Sequence, residues 1–182
     1  MNMSMMSVQP HLTFDEFLVL ERDSEMKHEL IGGVIYAMAG ASQRHNDVVT
    51  NLLVAITPAA RAGGCRARAA DQLVKVDDIN GKYPDVGVYC EEEPDDFYVT
   101  QPCLLVEVLS PSSHERDKVT KLSAYRRLPS LKAYLIVDPV NSMIYAHMRD
   151  HRGAWSTTTA GIGDWLKLPC PDMMLQVADI FQ

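Results

Sequence analysis

Several things are scarce in this 182-residue chain, and each shortage narrows what it can be. No apolar run approaches the ~18 residues that a membrane-crossing helix requires. The Met-rich start (Met1, Met3, Met5, Met6) has neither basic residues nor an apolar core, so it does not read as a signal peptide. There are only four cysteines, Cys65, Cys90, Cys103 and Cys170. They are too scattered for a C-x-x-C zinc pair or an obvious disulfide framework, and a reducing cytoplasm is the expected location. No internal repeat and no low-complexity linker divides the chain. No zinc finger, helix-turn-helix pattern or basic tail marks a separate nucleic-acid-reading module. What remains is ordinary globular usage, 47% hydrophobic and 23% charged, at a length of about one domain. The expectation is a single domain over residues 1–182, with about 1–10 as a flexible N-terminal segment.

Basic charge is also in short supply. Lys+Arg number 17 against 24 Asp+Glu, a net charge of −7 that suits a phosphate-binding protein poorly. The deficit is local, however. Glu91, Glu92, Glu93, Asp95 and Asp96 form one acidic run, and setting those five aside leaves −2. Basic residues cluster at Arg61, Arg66 and Arg68, and again at Arg116, Lys118, Lys121, Arg126 and Arg127. Charge neither demands nor forbids a phosphate partner.

The periodicity predicts a mixed α/β domain, a central β-sheet flanked by helices. Thr13-Phe14-Asp15-Glu16 reads as a capping box opening a helix to about Leu20. His28 to Met38 alternates around Gly32-Gly33, as a hairpin does. Ser42 caps a helix carrying Val48, Val49, Leu52, Leu53 and Ile56 at helical spacing, with Pro58 and Gly63-Gly64 expected to end it. Strands are expected at about 65–69, 72–77 and 83–89, then Cys103 to Leu109. Ser112-Ser113-His114-Glu115 reads as a second capping box for a helix to about Leu128. Strands at 132–138 and 142–149 and a looser tail around Trp155 and Trp165 complete the expectation.

Two carboxylates sit where their strands do not want them. Leu104-Leu105-Val106-Glu107-Val108-Leu109 has the pattern of a strand buried on both faces. An ionised Glu107 there costs several kcal/mol unless it is paired or bound to metal. The bland reading is a solvated or salt-bridged glutamate at a strand end. Asp85 leads another apolar strand, Pro84-Asp85-Val86-Gly87-Val88-Tyr89, and taken alone it reads as a turn residue. If the two strands pair, the acids approach each other, and a divalent cation would relieve their repulsion. Oxygen-only ligands suit Mg²⁺ or Mn²⁺. The following helix offers Lys118 and Lys121. Helical spacing puts Lys118 nearer the apolar stripe of Val119, Leu122 and Tyr125, while either lysine can be a solvated residue whose stem covers the core.

Tyr83-Pro84-Asp85-Val86, Leu105-Val106-Glu107-Val108-Leu109-Ser110-Pro111-Ser112, Asp117 and Lys121-Leu122-Ser123-Ala124-Tyr125 together resemble the Uma-two family of bacterial endonucleases. That family lies within the PD-(D/E)XK nuclease superfamily, with a restriction-endonuclease-like fold. The resemblance extends upstream through Thr13 to Leu18, His28-Glu29-Leu30-Ile31-Gly32-Gly33 and Arg44-His45, and downstream through Tyr134 to Pro139. It implies that Asp85 and Glu107 hold a metal, with the Val108 backbone carbonyl as a further ligand and Glu29 as an upstream acid near the same site. One departure is evident. Leu109 stands where an E-x-K pattern would put lysine, and the resemblance assigns that role to Lys121 on the following helix.

The resulting expectation is an Mg²⁺-dependent endonuclease, with Mn²⁺ as a substitute, that hydrolyses phosphodiester bonds of DNA. Glu29, Asp85, Glu107 and Lys121 are the catalytic candidates, and His45 and Lys118 are accessory ones. His45 shares a face with Val48, Val49 and Leu52, so it is equally a packed core histidine. A homodimer would serve cleavage of both strands. The alternative is a non-catalytic nucleic-acid-binding or assembly protein that keeps the nuclease fold. Ser110 and His114 lack the G-x-S-x-G setting of a hydrolase nucleophile. His147 and His151 are four apart on an expected strand and turn, not on a helix that would pair them as zinc ligands.

Overall fold

A computed structural model describes residues 11–38, 40–93, 95–110 and 121–182. The N-terminal segment 1–10, the Ser112–Glu115 capping box, Asp117 and Lys118 lie outside the described residues.

Thr13 begins helix α1 (Phe14–Arg22), its hydroxyl accepting from the Glu16 amide while the Glu16 carboxylate accepts from the Thr13 amide. Phe14 and Phe17 point inward. The hairpin β1 (His28–Ile31) and β2 (Val34–Ala37) follows. Its turn is Gly32-Gly33, at φ +58° and +80°, where an L side chain would be strained.

Helix α2 (Gln43–Ala62) starts at Ser42, whose hydroxyl accepts from the His45 amide. It runs through Pro58, contrary to expectation, and ends at Gly63. Pro58 and Val54 both face solvent, so the carbonyl that loses its amide donor lies on the wet side of the helix. The inner stripe of Val48, Leu52, Ile56 and Ala60 carries the helix past the break. Burial of Leu52 and Ile56 contributes about 2 kcal/mol each.

The remaining chain is mostly strand: β3 (Arg66–Ala69), β4 (Leu73–Asp77), β5 (Asn80–Lys82), β6 (Val86–Tyr89), β7 (Tyr98–Val99), β8 (Pro102–Val108), β9 (Ala133–Asp138) and β10 (Met143–Arg149). The expected run 83–89 becomes strand only at Val86, after Pro84, which has no amide proton to give a ladder. Before it, β5 joins a five-stranded sheet of order β2-β1-β5-β4-β7. After it, β6 joins a second sheet. The tail is ordered rather than loose, with β11 (Trp155–Gly161), β12 (Trp165–Pro169), β13 (Asp172–Gln176) and a 3-10 turn, Val177–Ile180. The second sheet has the order β11-β10-β9-β8-β6-β3, and β12 and β13 form a separate ribbon.

Alternation along β8 places Leu104, Val106 and Val108 in the core under α2, and Leu105 in the core on the opposite face with Tyr125, Tyr134 and Ile136. Residues 121–125 are helical and close that second face. No helix among the described residues is long and apolar enough to cross a membrane.

The cysteines depart furthest from expectation. Cys65 pairs with Cys90 and Cys103 with Cys170 in disulfides, across 25 and 67 residues. Strand register brings them together. Antiparallel pairing of Arg66 with Tyr89 puts Cys65 across from Cys90. A bulge between β6 and β8, where Val88 faces Leu104 and Tyr89 faces Pro102, leaves Cys103 as the extra residue.

Candidate active site

The two acids singled out in the sequence meet through strand register. β6 and β8 are antiparallel neighbours with Val86 opposite Val106, which puts Asp85 across from Glu107. Both stand at the same end of the two strands, in the interior of the strand order rather than at a sheet edge. Glu29 arrives from the other sheet, on β1, and Lys121 from the helical residues 121–125. The four side chains line one cleft of about 260 Å³.

Glu107 Oε2 accepts from Lys121 Nζ at 2.9 Å, and Glu107 Oε1 accepts from the Tyr125 hydroxyl at 2.9 Å. The same Lys121 Nζ lies 3.1 Å from Glu29 Oε1, so one ammonium bridges two carboxylates. Glu29 Oε2 is 3.9 Å from Nζ of Lys82, a lysine with no exposed surface. Asp85 Oδ2 accepts from the Val108 amide at 2.7 Å, and its Oδ1 lies 3.3 Å from His45 Nε2. These bonds fix both faces of the Asp85 carboxylate.

Burial sets the electrostatics. The side chains of Glu29, Asp85 and Glu107 are only 11%, 18% and 13% exposed, so each charge is partly stripped of water. Burial raises the Glu107 pKa to about 7, and the neighbouring Asp85 and Glu29 charges push the same way, against the pull of Lys121. For Lys121, burial works against the ammonium, but Glu107 and Glu29 outweigh it and hold the pKa above its ordinary value. The hydrogen bond to Asp85 raises the pKa of His45, with burial opposing. Burial, then the Glu107 and Glu29 charges, keep Tyr125 protonated well beyond its usual range, so it stays a hydrogen-bond donor. Three carboxylates thus face two lysines and one histidine.

A family model described as "Uma2: Putative restriction endonuclease" matches residues 14–178. The chain belongs to this family. Two curated relatives, both from Synechocystis sp., are similar to it. Uncharacterized protein slr1290 is 31% identical over 95% of this chain and 93% of its own length. Uncharacterized protein sll1609 is 34% identical over 70% of this chain and 75% of its own. Among solved structures, a putative nuclease belonging to DUF820 from Anabaena variabilis superposes with a TM-score of 0.75. It covers 93% of this chain and 97% of that one, at 17% identity. The restriction-endonuclease-like α/β fold expected from the sequence is therefore the fold of this Uma2 chain.

Glu29, Asp85, Glu107, Lys121 and His45 share the cleft, as does Val108, whose amide is committed to Asp85. Ser110 lines the same cleft. His147 instead hydrogen-bonds Thr157 and stacks on Tyr134, while His151 is exposed in a turn, so the two do not converge. Trp155 lies under Arg126 and Arg149, and Trp165 is exposed. Sequence reasoning did not pick out Lys82 or the role of Tyr125. Lys82 precedes Asp85 by three residues and lies in β5, a strand buried throughout.

Proposed function

We infer that this Uma2 protein is a divalent-metal-dependent endonuclease that hydrolyses phosphodiester bonds of DNA. One observation carries the reading: three partly buried carboxylates from two different sheets, with Lys121 lodged between two of them. A fold maintained for packing alone has no need to bury three acids around one cleft.

The donor set fits Mg²⁺ or Mn²⁺. Asp85, Glu107 and Glu29 offer only oxygen donors, which such ions prefer. Asp85 and Glu107 would hold the ion, with the Val108 carbonyl beside them and Glu29 at the edge. Bound there, the ion supplies a water of lowered pKa and neutralises charge on the scissile phosphate.

The chain's own groups do the positioning. Val108 and His45 hold the Asp85 carboxylate from two sides, and Tyr125 holds Glu107. Lys121 is balanced between Glu29 and Glu107, and can turn its ammonium toward a phosphate oxygen or the attacking water. Lys82 lies beside Glu29, its ammonium 3.9 Å from Oε2. The acidic Glu91–Glu93 stretch follows Cys90, at the end of β6 away from Asp85, so it does not crowd the cleft. A homodimer would offer two such clefts to the two strands of a duplex.

The test is nicking of supercoiled plasmid in Mg²⁺, Mn²⁺ or EDTA, with wild type and Glu107→Ala purified in parallel. The expected result is metal-dependent nicking by wild type alone. Equal nicking by both would place the activity elsewhere. A salt-sensitive DNA shift with no cleavage under any metal would favour a binding protein on the nuclease fold.

A further inference from the structure

Every cysteine of the chain converges on one place, and the nuclease reading uses none of them. Cys65 precedes β3, Cys90 follows β6, Cys103 is the bulge residue of β8, and Cys170 lies in the turn between β12 and β13. Two disulfides account for the pairing, yet the pairs are not separate. Cys90 Sγ lies 3.6 Å from Cys103 Sγ and 3.7 Å from Cys170 Sγ, each time across to the other pair. The sulfurs of Cys65, Cys90 and Cys170 all fall within 4.8 Å of one another.

These spacings have a chemical meaning. A tetrahedral zinc tetrathiolate with Zn–S near ~2.3 Å has sulfur–sulfur edges of about 3.8 Å. The two cross-pair contacts already have that edge length. The ligands come from three neighbouring strands and from the ribbon packed against them. Cys65, Cys103 and Cys170 are buried among apolar core residues, and Cys90 is the exposed corner through which an ion would enter.

We propose that the four cysteines form a reducible sulfur centre that binds one zinc ion as a tetrathiolate when its disulfides are open. The balance is simple. Each disulfide takes two electrons and two protons from a dithiol, which leaves as its own disulfide. Zinc then displaces one proton from each of the four thiols. The ion ties β3, β6, β8 and the β12–β13 ribbon together in place of the disulfides. Its role is structural, because no ligand position remains open.

The experiment uses the full chain, reduced with a phosphine under inert gas, freed of reductant and titrated with Co²⁺ as the spectroscopic probe. The expected result is one ion per chain, with sulfur-to-cobalt charge transfer and the intense visible bands of tetrahedral cobalt, bleached when Zn²⁺ displaces it. Cys90→Ser, a change at the exposed corner, should weaken binding tenfold or more. Asp85→Ala should leave the sulfur bands unchanged, which separates this centre from the oxygen-lined cleft. Circular dichroism follows folding in the same samples, so a reduced chain that unfolds and regains structure only with zinc also supports the site. Only the weak bands of oxygen-ligated cobalt, or sulfur bands that persist at full affinity in Cys90→Ser, would overturn the proposal. So would a reduced chain that zinc neither binds nor refolds.

Discussion

Strands β6 and β8 carry a different chemistry at each end. At one end stand Asp85 and Glu107, hard oxygen donors held by hydrogen bonds and one bridging lysine. At the other stand Cys90 and Cys103, soft sulfur donors joined to Cys65 and Cys170. Asp85 and Cys90 are five positions apart, about 16 Å of extended chain at ~3.3 Å per residue. The oxygen end is an open cleft lined by charged side chains. The sulfur end is mostly buried and closed on itself, suited to holding strands in register. One pair of strands therefore carries the proposed active site at one end and a covalent tie at the other, and the two ends should break independently.

The largest effect should come from crossing the two ends in one assay. Glu107→Ala should reduce plasmid nicking by at least about a hundredfold, since it removes a carboxylate that would hold the metal. Cys90→Ser, at the far end, should leave the nicking rate of the oxidised protein within about twofold. Loss of nicking in Cys90→Ser with an unchanged circular dichroism spectrum would mean that the ends are coupled.

Stability should show the reverse order. The Cys65–Cys90 bond closes a loop of 25 residues and Cys103–Cys170 one of 67. Chain-entropy arguments put their separate contributions at about 3 and about 4 kcal/mol. Urea unfolding in EDTA, with and without a reductant, should therefore show a loss of several kcal/mol on reduction. Glu107→Ala should move the midpoint far less. A midpoint indifferent to reduction would mean that packing of the ribbon on α2 suffices by itself.

The two ends also differed in how legible they were. Asp85 and Glu107 stood out because a carboxylate inside an apolar run is expensive, and a single strand is enough to show it. Glu29 emerged only through family resemblance, as did the choice of Lys121 over Lys118, because each belongs to a different sheet or helix and no local pattern links them. His45 was ambiguous because it does both things, flanking the core stripe of α2 and reaching Asp85. Lys82 left no mark because it lies just before the expected strand 83–89, in β5, whose residues Asn80, Gly81 and Lys82 carry no strand pattern of their own. The sulfur cluster was the least legible. Its members are brought together by the β3–β6 register, the β6–β8 bulge and the ribbon turn, none of which leaves a spacing motif. The ribbon itself was read as a loose tail, since Leu166, Leu168 and Leu175 alternate in strands only five residues long.

The smallest predicted effect separates the ends by pH. In EDTA the Glu107 carboxyl has its pKa raised from 4.5 to about 7, first by burial and then by Asp85 and Glu29, against Lys121. Between those two values the folded chain holds a proton that the unfolded chain has released. Stability from this group is therefore complete below about pH 4.5 and is lost as pH rises through about 7. His45, also raised, loses its contribution in the same direction, so the group must be isolated by difference. The stability of wild type minus that of Glu107→Gln should fall by on the order of 2 kcal/mol from pH 5 to pH 7.5. Disulfide sulfurs bear no titratable proton, and free thiols, with pKa about 8.5, stay largely protonated up to pH 7.5, so the stability difference between oxidised and reduced protein should stay level over the same range. A flat wild-type-minus-Gln profile would mean that Lys121 keeps Glu107 ionised throughout, leaving the cleft charged and ready for a cation even in acid.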